Sequence, residues 1–284
     1  MNNDQKNEEA EKVNKELDSQ DSQDKTMTKT HGEILKEQII EGCETYDRSK
    51  SSILLSSFTA GLEIGFSFLM LCSLFSFLEG KVAEETIFKL IAFVYPIGFI
   101  LVVLGKSILF TEQTSLLALP VLNNRRSVWS LFQIWGVVIF GNLAGGMLMG
   151  LTVSWLGSEL NLFEAEVIAK IGEHFVDYDI LTIFLSAIMA GWLMGLLSWL
   201  VTSSKETTAE ILIIYLITAV MGFTGLHHSI IGHIEIFAGM LVSDKITFLV
   251  YLKTLGTALA GNAVGATVFV ALLKYRAFVF NIKM

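Results

Sequence analysis

Two glycine motifs occur twice in the chain, in the same order, and this duplication limits what it can fold into. Ala60-Gly61-x-x-x-Gly65 returns as Ala190-Gly191-x-x-x-Gly195, and Gly141-Asn142-x-x-Gly145 returns as Gly261-Asn262-x-x-Gly265. Each set of motifs lies in a half of the chain that holds three long apolar stretches. A repeat with an odd number of membrane spans places its second copy in the bilayer upside down. The duplication therefore predicts two inverted three-helix repeats with a permeation path between them.

The apolar stretches themselves set the fold class. They cover about residues 51–77, 88–122, 128–156, 180–204, 208–242 and 246–273. Crossing a bilayer takes about 20 apolar residues, so each stretch is long enough. The chain is 52% hydrophobic with a mean hydropathy of +0.58, which is too apolar for an ordinary soluble domain. We predict an all-α membrane protein with six transmembrane helices.

The second and fifth stretches are longer than one plain span and have polar residues in the middle. Residues 88–122 contain Lys106 and Glu112, and residues 208–242 contain Gly225, His227 and His228. Backbone can leave a helix at membrane depth only where protein or a water-filled cavity satisfies its polar groups. Interruptions at equivalent places in two repeats are the sequence sign of a transport site. We predict broken second and fifth helices.

The charged residues divide the chain into four regions. Residues 1–31 are polar and acidic and are predicted to be a disordered tail. Residues 32–50 have Ile34, Leu35 and Ile39 at helical spacing, which predicts an amphipathic helix on the membrane or against the bundle, or an ordinary capping helix. Residues 51–274 form the six-span transport domain, and 275–284 a C-terminal tail.

Basic residues predict the orientation of the spans. One side of the predicted bundle carries Arg48, Lys50, Arg125, Arg126, Lys205, Lys274 and Arg276, and the other side is mainly acidic. The basic side is expected to be cytoplasmic, which puts both termini inside. The first apolar run begins after residue 50, so we expect it to insert uncleaved into the plasma (bacterial inner) membrane.

The interruptions also carry a family resemblance. Gly105-Lys-Ser-Ile-Leu-Phe-Thr-Glu-Gln-Thr114 resembles the loop that breaks the second span in the formate/nitrite transporter family. Gly225-Leu-His-His-Ser-Ile230 resembles the break in the fifth span of that family, and the two Gly-Asn motifs resemble its third- and sixth-span packing motifs. The resemblance covers about residues 33–276 and looks closest to a less studied branch.

This resemblance implies an aquaporin-like fold, a homopentamer with one pore per subunit, and passage of small monovalent anions such as formate or nitrite, without a cofactor. By match, the substrate pathway contains Thr111, His228, Leu109, Phe110, Met221, Ser229 and Lys106. Leu109, Phe110 and Met221 fall at its apolar constrictions, although family members often have an aromatic at the last of these. Members often carry a lysine in the outer loop of the second half, where Lys170 and His174 are the nearest candidates. Gly232 replaces an asparagine.

The chemistry of the two central residues suits a weak-acid anion. The half-helix N-termini at the breaks favour an anion through their free N–H groups. His228 titrates near neutral pH and can donate a proton, while the Thr111 hydroxyl can donate to a carboxylate or nitrite oxygen or to the imidazole. We therefore predict that Thr111 and His228 form a polar station between two apolar gates, and that protons are possible co-substrates.

Several other polar residues in the apolar stretches could belong to the substrate pathway or could have a structural role. Glu63, Glu112 and His227 are assigned to either role, with Lys106 as a partner for Glu63 and Glu112 as a brace for the loop. Gly141, Asn142, Gly261 and Asn262 are assigned to helix packing. His233 and Glu235 follow within eight residues of His227, which raises metal binding, but His227, His228 and His233 lack the i, i+4 spacing of a helical zinc site, so no metal is predicted.

Three alternatives remain. An aquaporin-like pore for a small neutral solute is the first, although the Asn-Pro-Ala motifs of such pores are absent. A membrane scaffold with a partner-binding tail is the second, but a scaffold gains nothing from buried loops. An enzyme is the third, and no nucleophile–base set or phosphate loop is present to support it. The predicted partners are the anion, the lipid bilayer and other copies of the chain, with no nucleic acid.

Overall fold

The described part of the chain, residues 3–19 and 29–282 of a computed structural model, is built from α-helices. They are α1 Asn3–Ser19, α2 His31–Asp47, α3 Lys50–Leu78, α4 Glu84–Leu90, α5 Pro96–Leu104, α6 Phe110–Leu122, α7 Val128–Glu159, α8 Ala165–Val176, α9 Ile180–Ser203, α10 Thr207–Thr224, α11 Ser229–Val242, α12 Phe248–Ala266 and α13 Leu273–Ile282. A short 3₁₀ turn, Ile91–Phe93, joins α4 to α5, and a π-helical turn, Thr267–Leu272, joins α12 to α13. The all-α prediction is confirmed.

Six helical segments of the described residues are long and apolar enough to cross a membrane. They are Lys50–Leu78, Glu84–Leu104, Val128–Glu159, Ile180–Ser203, Thr207–Thr224 and Phe248–Ile282. The second and fifth predicted stretches are each split in two, as expected. Residues 105–109 separate α5 from α6, and residues 225–228 separate α10 from α11. Gly225 ends α10 in the left-handed conformation, with φ of +67°, which a residue with a side chain rarely adopts.

The two halves share one packing arrangement. α3 packs along α7 in the first half, and α9 packs along α12 in the second. A side chain on Gly61 would overlap the backbone carbonyl of Asn142, and one on Gly191 would overlap that of Asn262. The small residues of the duplicated motifs therefore allow the backbones of these helix pairs to touch.

α2 lies against the bundle, so the structure selects one of the placements predicted for residues 32–50. A capping box starts it: the Glu33 N–H donates to Thr30 Oγ1 at 3.2 Å, and the Thr30 N–H donates to Glu33 Oε2 at 2.6 Å. Its apolar residues Leu35 and Ile39 are fully buried, and the helix packs on α6 and α9. We call the side of the bundle that carries α2 the α2 face, and the opposite side, with α4 and α8, the α8 face.

Both termini differ from the sequence prediction. Residues 1–31 were expected to be disordered, but Asn3–Ser19 forms α1, while residues 20–28 lie outside the described part. Val13 and Leu17 are buried in the main core, and Asn123 Nδ2 donates to Asn14 Oδ1 at 2.9 Å. The helix is thus held by tertiary contacts that composition does not reveal. At the other end, α13 continues to Ile282 rather than giving way to a tail at residue 275.

Candidate functional site

The broken helices α6 and α11 are fixed at their starts by one asparagine each. In the first half, the Phe110 N–H donates to Asn142 Oδ1 at 2.8 Å. Asn142 Nδ2 in turn donates to the carbonyls of Ser57 and Ile108, both at 2.8 Å. One buried side chain therefore joins the loop of the second span, the helix that follows it, and α3.

The second half repeats these three hydrogen bonds. The Ser229 N–H donates to Asn262 Oδ1 at 2.8 Å, and Asn262 Nδ2 donates to the carbonyls of Ala187 at 2.8 Å and His227 at 3.0 Å. The Ser229 hydroxyl has no hydrogen-bond partner within the described residues. Both asparagines are fully buried, where an amide that loses its partners is costly. The duplicated Gly-Asn motifs thus set the position of both helix starts.

Thr111 and His228 meet where α6 and α11 begin. Thr111 Oγ1 lies 2.6 Å from His228 Nε2, and both side chains are fully buried. His228 is also the N-cap of α11, because its Nδ1 accepts from the Ile231 N–H at 3.4 Å. A ring nitrogen that accepts carries no proton, so we assign the proton of the neutral imidazole to Nε2, from which it is donated to Thr111. The hydrogen of the Thr111 hydroxyl is then free for another acceptor.

Aromatic and aliphatic side chains surround this pair. Phe99 meets the His228 ring edge-on at 5.0 Å between centroids, and Phe110 meets Trp135 in the same way at 5.7 Å. Leu109 and Phe110 are buried directly before Thr111 in the chain. Met221 is buried and lines a cavity on the α8 face. The predicted apolar residues therefore lie beside the pair and on its α8 side.

A cavity of about 490 Å³ opens on the α2 face, and we call it the α2 vestibule. Its charged lining residues are Lys29, Glu37, Glu41, Glu44, Arg48, Lys106, Glu112 and Glu210. Lys106 has a positive φ of 57° and is exposed to the cavity. Glu112 Oε2 accepts from Gln113 Nε2 at 2.7 Å. Burial raises the pKa of Glu41, against a smaller lowering by Lys106. Carboxylates outnumber cations here.

Glu63 does not find its predicted partner. Its Oε2 is buried and has no hydrogen bond within the described residues, and its Oε1 lies beside Gly105. No ion pair joins it to Lys106 in the part of the chain that the structure describes. Gly105 separates the two because it ends α5, and Lys106 then turns in the left-handed conformation toward the α2 vestibule.

A second cavity of about 80 Å³ lies on the α8 face, and we call it the α8 vestibule. Met221, Leu226, His227, His174, Tyr178, Tyr95 and Glu235 are among the residues that line it. His227 is anchored on both sides: its Nδ1 lies 2.9 Å from Ser186 Oγ and its Nε2 lies 3.1 Å from the Phe175 carbonyl. These bonds tie the loop of the fifth span to α9 and α8.

Lys170 and His174, the two candidates for attracting an anion at the outer loop, are both engaged with neighbouring side chains. Lys170 forms ion pairs with Glu79 and, at 3.9 Å, with Glu84. Its hydrogen bond to Glu79 raises the pKa of Lys170. His174 stacks on Phe88 at 3.9 Å between ring centroids, and burial lowers the pKa of His174, with Asp177 opposing. Of the two candidates, the lysine is therefore paired with carboxylates and the histidine is packed against an aromatic ring.

For some site residues, the local sequence gives no sign of their hydrogen-bond partners. His233 Nδ1 accepts from the Tyr251 hydroxyl at 2.8 Å, and His233 Nε2 donates to the Leu143 carbonyl at 3.0 Å, so this histidine joins α11 to α12 and α7. His227, His228 and His233 therefore face separate partners. Glu235, which the sequence placed near the three histidines, faces the α8 vestibule instead. Ser186 was missed because its partner comes from another span.

Two helix starts that meet at a buried hydroxyl–imidazole pair, with a vestibule on each face, define a membrane transport protein. The formate/nitrite transporter family matches residues 32–276, and the chain belongs to that family. Inner membrane protein YfdC of Escherichia coli K12 is 30% identical over 244 residues, covering 83% of this chain and 74% of the relative. The uncharacterized transporter YrhG of Bacillus subtilis is 27% identical over 195 residues, covering 66% of this chain and 70% of the relative.

Solved structures share the fold. An FNT family ion channel has a TM-score of 0.77 at 22% identity, covering 86% of this chain and 98% of that one. A pentameric formate channel with formate bound has a TM-score of 0.69 at 21% identity, covering 81% and 98%. Family membership, the spans and the inner-membrane relative make this chain a multi-pass membrane transporter.

Proposed function

We propose that the protein is a passive or proton-coupled channel for small monovalent weak-acid anions of the formate and nitrite class. The contact between Thr111 and His228 at the starts of α6 and α11 carries this proposal. Two helix N-termini directed at one point favour negative charge, and the pair offers a hydroxyl hydrogen beside them. Family membership and the relatives named for formate and nitrite support the anion over the neutral solute.

The pair acts on the anion through Thr111. Because His228 Nε2 donates to the hydroxyl, Thr111 can donate its own hydrogen to an oxygen of the anion. An anion next to the pair also favours a second proton on the imidazole, and this offsets the loss of the cap contact with the Ile231 N–H, which needs an unprotonated Nδ1. Leu109 and Phe110 beside the pair, and Met221 on its α8 side, would exclude water, so the anion passes the pair desolvated or as the neutral acid.

The assembly and orientation complete the proposal. The pentameric structure of similar fold supports a homopentamer with one path per subunit. Arg125, Arg126 and Lys274 on the α2 face support a cytoplasmic location for that face and for both termini. The two halves then enter the bilayer from opposite sides, as the matched contacts of Asn142 and Asn262 favour. Its role is transport rather than catalysis of a reaction.

Transport assays on purified protein in liposomes test the proposal. We expect uptake of formate and nitrite above that of empty liposomes, greater at about pH 5 than at about pH 8, because a lower pH favours delivery of a proton to a weak-acid anion at the pair. His228→Ala should reduce the uptake and flatten its pH dependence. Osmotic swelling with glycerol in the absence of anion uptake would instead identify the neutral-solute pore. Uptake by His228→Ala equal to that of the wild type at both pH values would remove His228 from the mechanism.

A further inference from the structure

Glu235 is a buried carboxyl that the proposed mechanism leaves unused. It lies on α11, about two helical turns beyond His228, and its side chain lines the α8 vestibule. The residue is only 7% exposed. No hydrogen bond or ion pair is found for its carboxyl group among residues 3–19 and 29–282. The group therefore faces the cavity without a protein partner.

The surroundings of Glu235 supply no positive charge. The titratable groups near it are Tyr95, which precedes α5, Cys72 of α3, His174 of α8, Tyr178 after α8, and His227. The one titratable residue of α7 is Glu159, at its C-terminal end. α12 carries two: Lys253, which is exposed, and Tyr251, which is hydrogen-bonded to His233. On α3 and α6, Glu63 lies beside Gly105, and Glu112 lines the other vestibule. His233 has both ring nitrogens occupied.

The nearest lysines of the α8 face are already engaged. Lys170 pairs with Glu79, Lys245 pairs with Glu173 at 2.5 Å, and Lys89 donates to the Phe223 carbonyl at 2.9 Å. A carboxylate that is buried without a counter-charge loses its hydration and gains little in return. An ionised Glu235 would also repel an anion in the same small cavity. A neutral carboxylic acid has neither cost, and it has a hydrogen to donate.

Two phenol groups extend the donor set. Tyr95 and Tyr178 line the same cavity, and no hydrogen bond is found for either hydroxyl among the described residues. The carboxyl of Glu235 and the phenol groups of Tyr95 and Tyr178 thus border a space of about 80 Å³, enough for one small anion or a few waters. His228 cannot take this place, since its donor nitrogen is used by Thr111.

We propose that the α8 vestibule is an anion-binding site whose principal donor is the protonated carboxyl of Glu235. The inference rests on the proposed function, because it names a second site on the same path. The ligand class is a small monovalent anion with oxygen acceptors. In its neutral form Glu235 holds the anion before it reaches Thr111 and His228. When the carboxyl ionises, the site repels the anion, and entry from the α8 face is closed.

The test compares wild type with Glu235→Gln, which keeps the size and a donor but cannot ionise. Formate and nitrite uptake is measured in right-side-out and inverted membrane vesicles, with the pH varied on one side at a time. Substrate protonation changes with pH in the same way for both proteins, so its effect is removed when wild-type uptake is divided by variant uptake. We expect this ratio to fall at least fivefold as the pH on the α8 side rises from about 6 to about 8.5. It should not respond to the pH on the α2 side. Glu159→Gln, an exposed carboxyl at the end of α7, is the matched control and should follow wild type.

Infrared spectroscopy of purified wild type gives a second measurement without transport. We expect the carbonyl band of a protonated carboxyl near neutral pH, its shift on addition of formate, and a displaced band in Glu235→Asp. A constant uptake ratio at all pH values overturns the inference while the proposed function stands. Absence of uptake by wild type overturns the proposed function. The formate-dependent infrared band then shows by itself whether Glu235 binds the anion. Absence of that band overturns the site.

Discussion

His228 uses its two ring nitrogens for two different tasks, and this division limits what it can do. Nδ1 caps α11 through the Ile231 N–H, and Nε2 contacts Thr111. A second proton on Nδ1 would break the cap and place a cation at the N-terminal end of a helix, where the macrodipole disfavours it. Both contacts therefore favour the neutral imidazole. Thr111 is the residue through which it reaches an anion.

A pair of substitutions at Thr111 separates the hydroxyl from the shape of the side chain. Thr111→Val leaves the His228 Nε2–H buried without an acceptor and removes the hydrogen offered to the anion. The loss should lower anion uptake by at least tenfold, equivalent to about 1.4 kcal/mol or more in the barrier. Thr111→Ser keeps the hydroxyl and should stay within about threefold of wild type. The measurement is anion uptake into liposomes by both variants and wild type, corrected for the amount of reconstituted protein. Equal activity of the valine variant would show that the hydroxyl has no part in passage.

The sequence allowed some site residues to be predicted and not others. Interruptions of apolar stretches marked the two breaks, resemblance to the family motifs pointed to Thr111 and His228 within them, and duplication marked Asn142 and Asn262. The bonds of His227 to Ser186 and of His233 to Tyr251 join residues 41 and 18 positions apart. Such pairs depend on how the helices pack, which periodicity does not encode.

At the scale of elements, the spans and their breaks were predictable because hydropathy and polar interruptions record them directly. α1 was not predictable in the same way. Its composition is polar, and its position depends on tertiary contacts, among them the burial of Val13 and Leu17 and the hydrogen bond from Arg276 Nη1 to Glu9 Oε1 at 3.0 Å. Helix formation in such a segment is decided by docking rather than by intrinsic propensity.

The close approach of α9 and α12 gives a prediction at this scale. Gly191→Ala places a methyl group on the backbone carbonyl of Asn262, and the helices must separate. Overpacking of this kind costs about 1–3 kcal/mol, and it also disturbs the amide that positions Ser229. We expect a lower thermal unfolding temperature in detergent and reduced uptake. Gly61→Ala should behave alike, since it meets Asn142 in the same way.

The matched control for this prediction is Gly256→Ala on α12. A Cβ at Gly256 meets no described atom within 4 Å. Alanine is the better helix former by about 1 kcal/mol, so this variant should be as stable as wild type or slightly more so. Unfolding temperatures followed by circular dichroism compare the two. A Gly191→Ala variant as stable as Gly256→Ala would contradict backbone contact between α9 and α12.

At the scale of the whole molecule, an anion path here opens on two faces that carry few unpaired cations. On the α2 face, Glu37, Glu41 and Glu44 oppose Lys29 and Lys106. On the α8 face, Lys170 is neutralised by Glu79. Attraction of the anion must therefore come from the helix N-termini and from neutral donors rather than from a ring of lysines. Uptake should then depend only weakly on ionic strength.

The charge state of His174 offers a direct test of this electrostatic balance. Burial lowers the pKa of His174, so the imidazole is neutral at its ordinary pKa and above, and becomes a cation only as the pH falls further. His174→Lys should add a permanent cation beside the α8 vestibule and raise anion uptake from that face about two- to fivefold at low salt. The gain should disappear in high salt, because screening shortens the reach of an exposed charge. The double variant Glu79→Gln/Lys170→Ala is the control and should change uptake less than twofold, since it removes two opposite charges that already pair with each other. If His174→Lys left uptake unchanged at low salt while the double variant abolished it, the attracting charge on the α8 face would be Lys170 despite its ion pair.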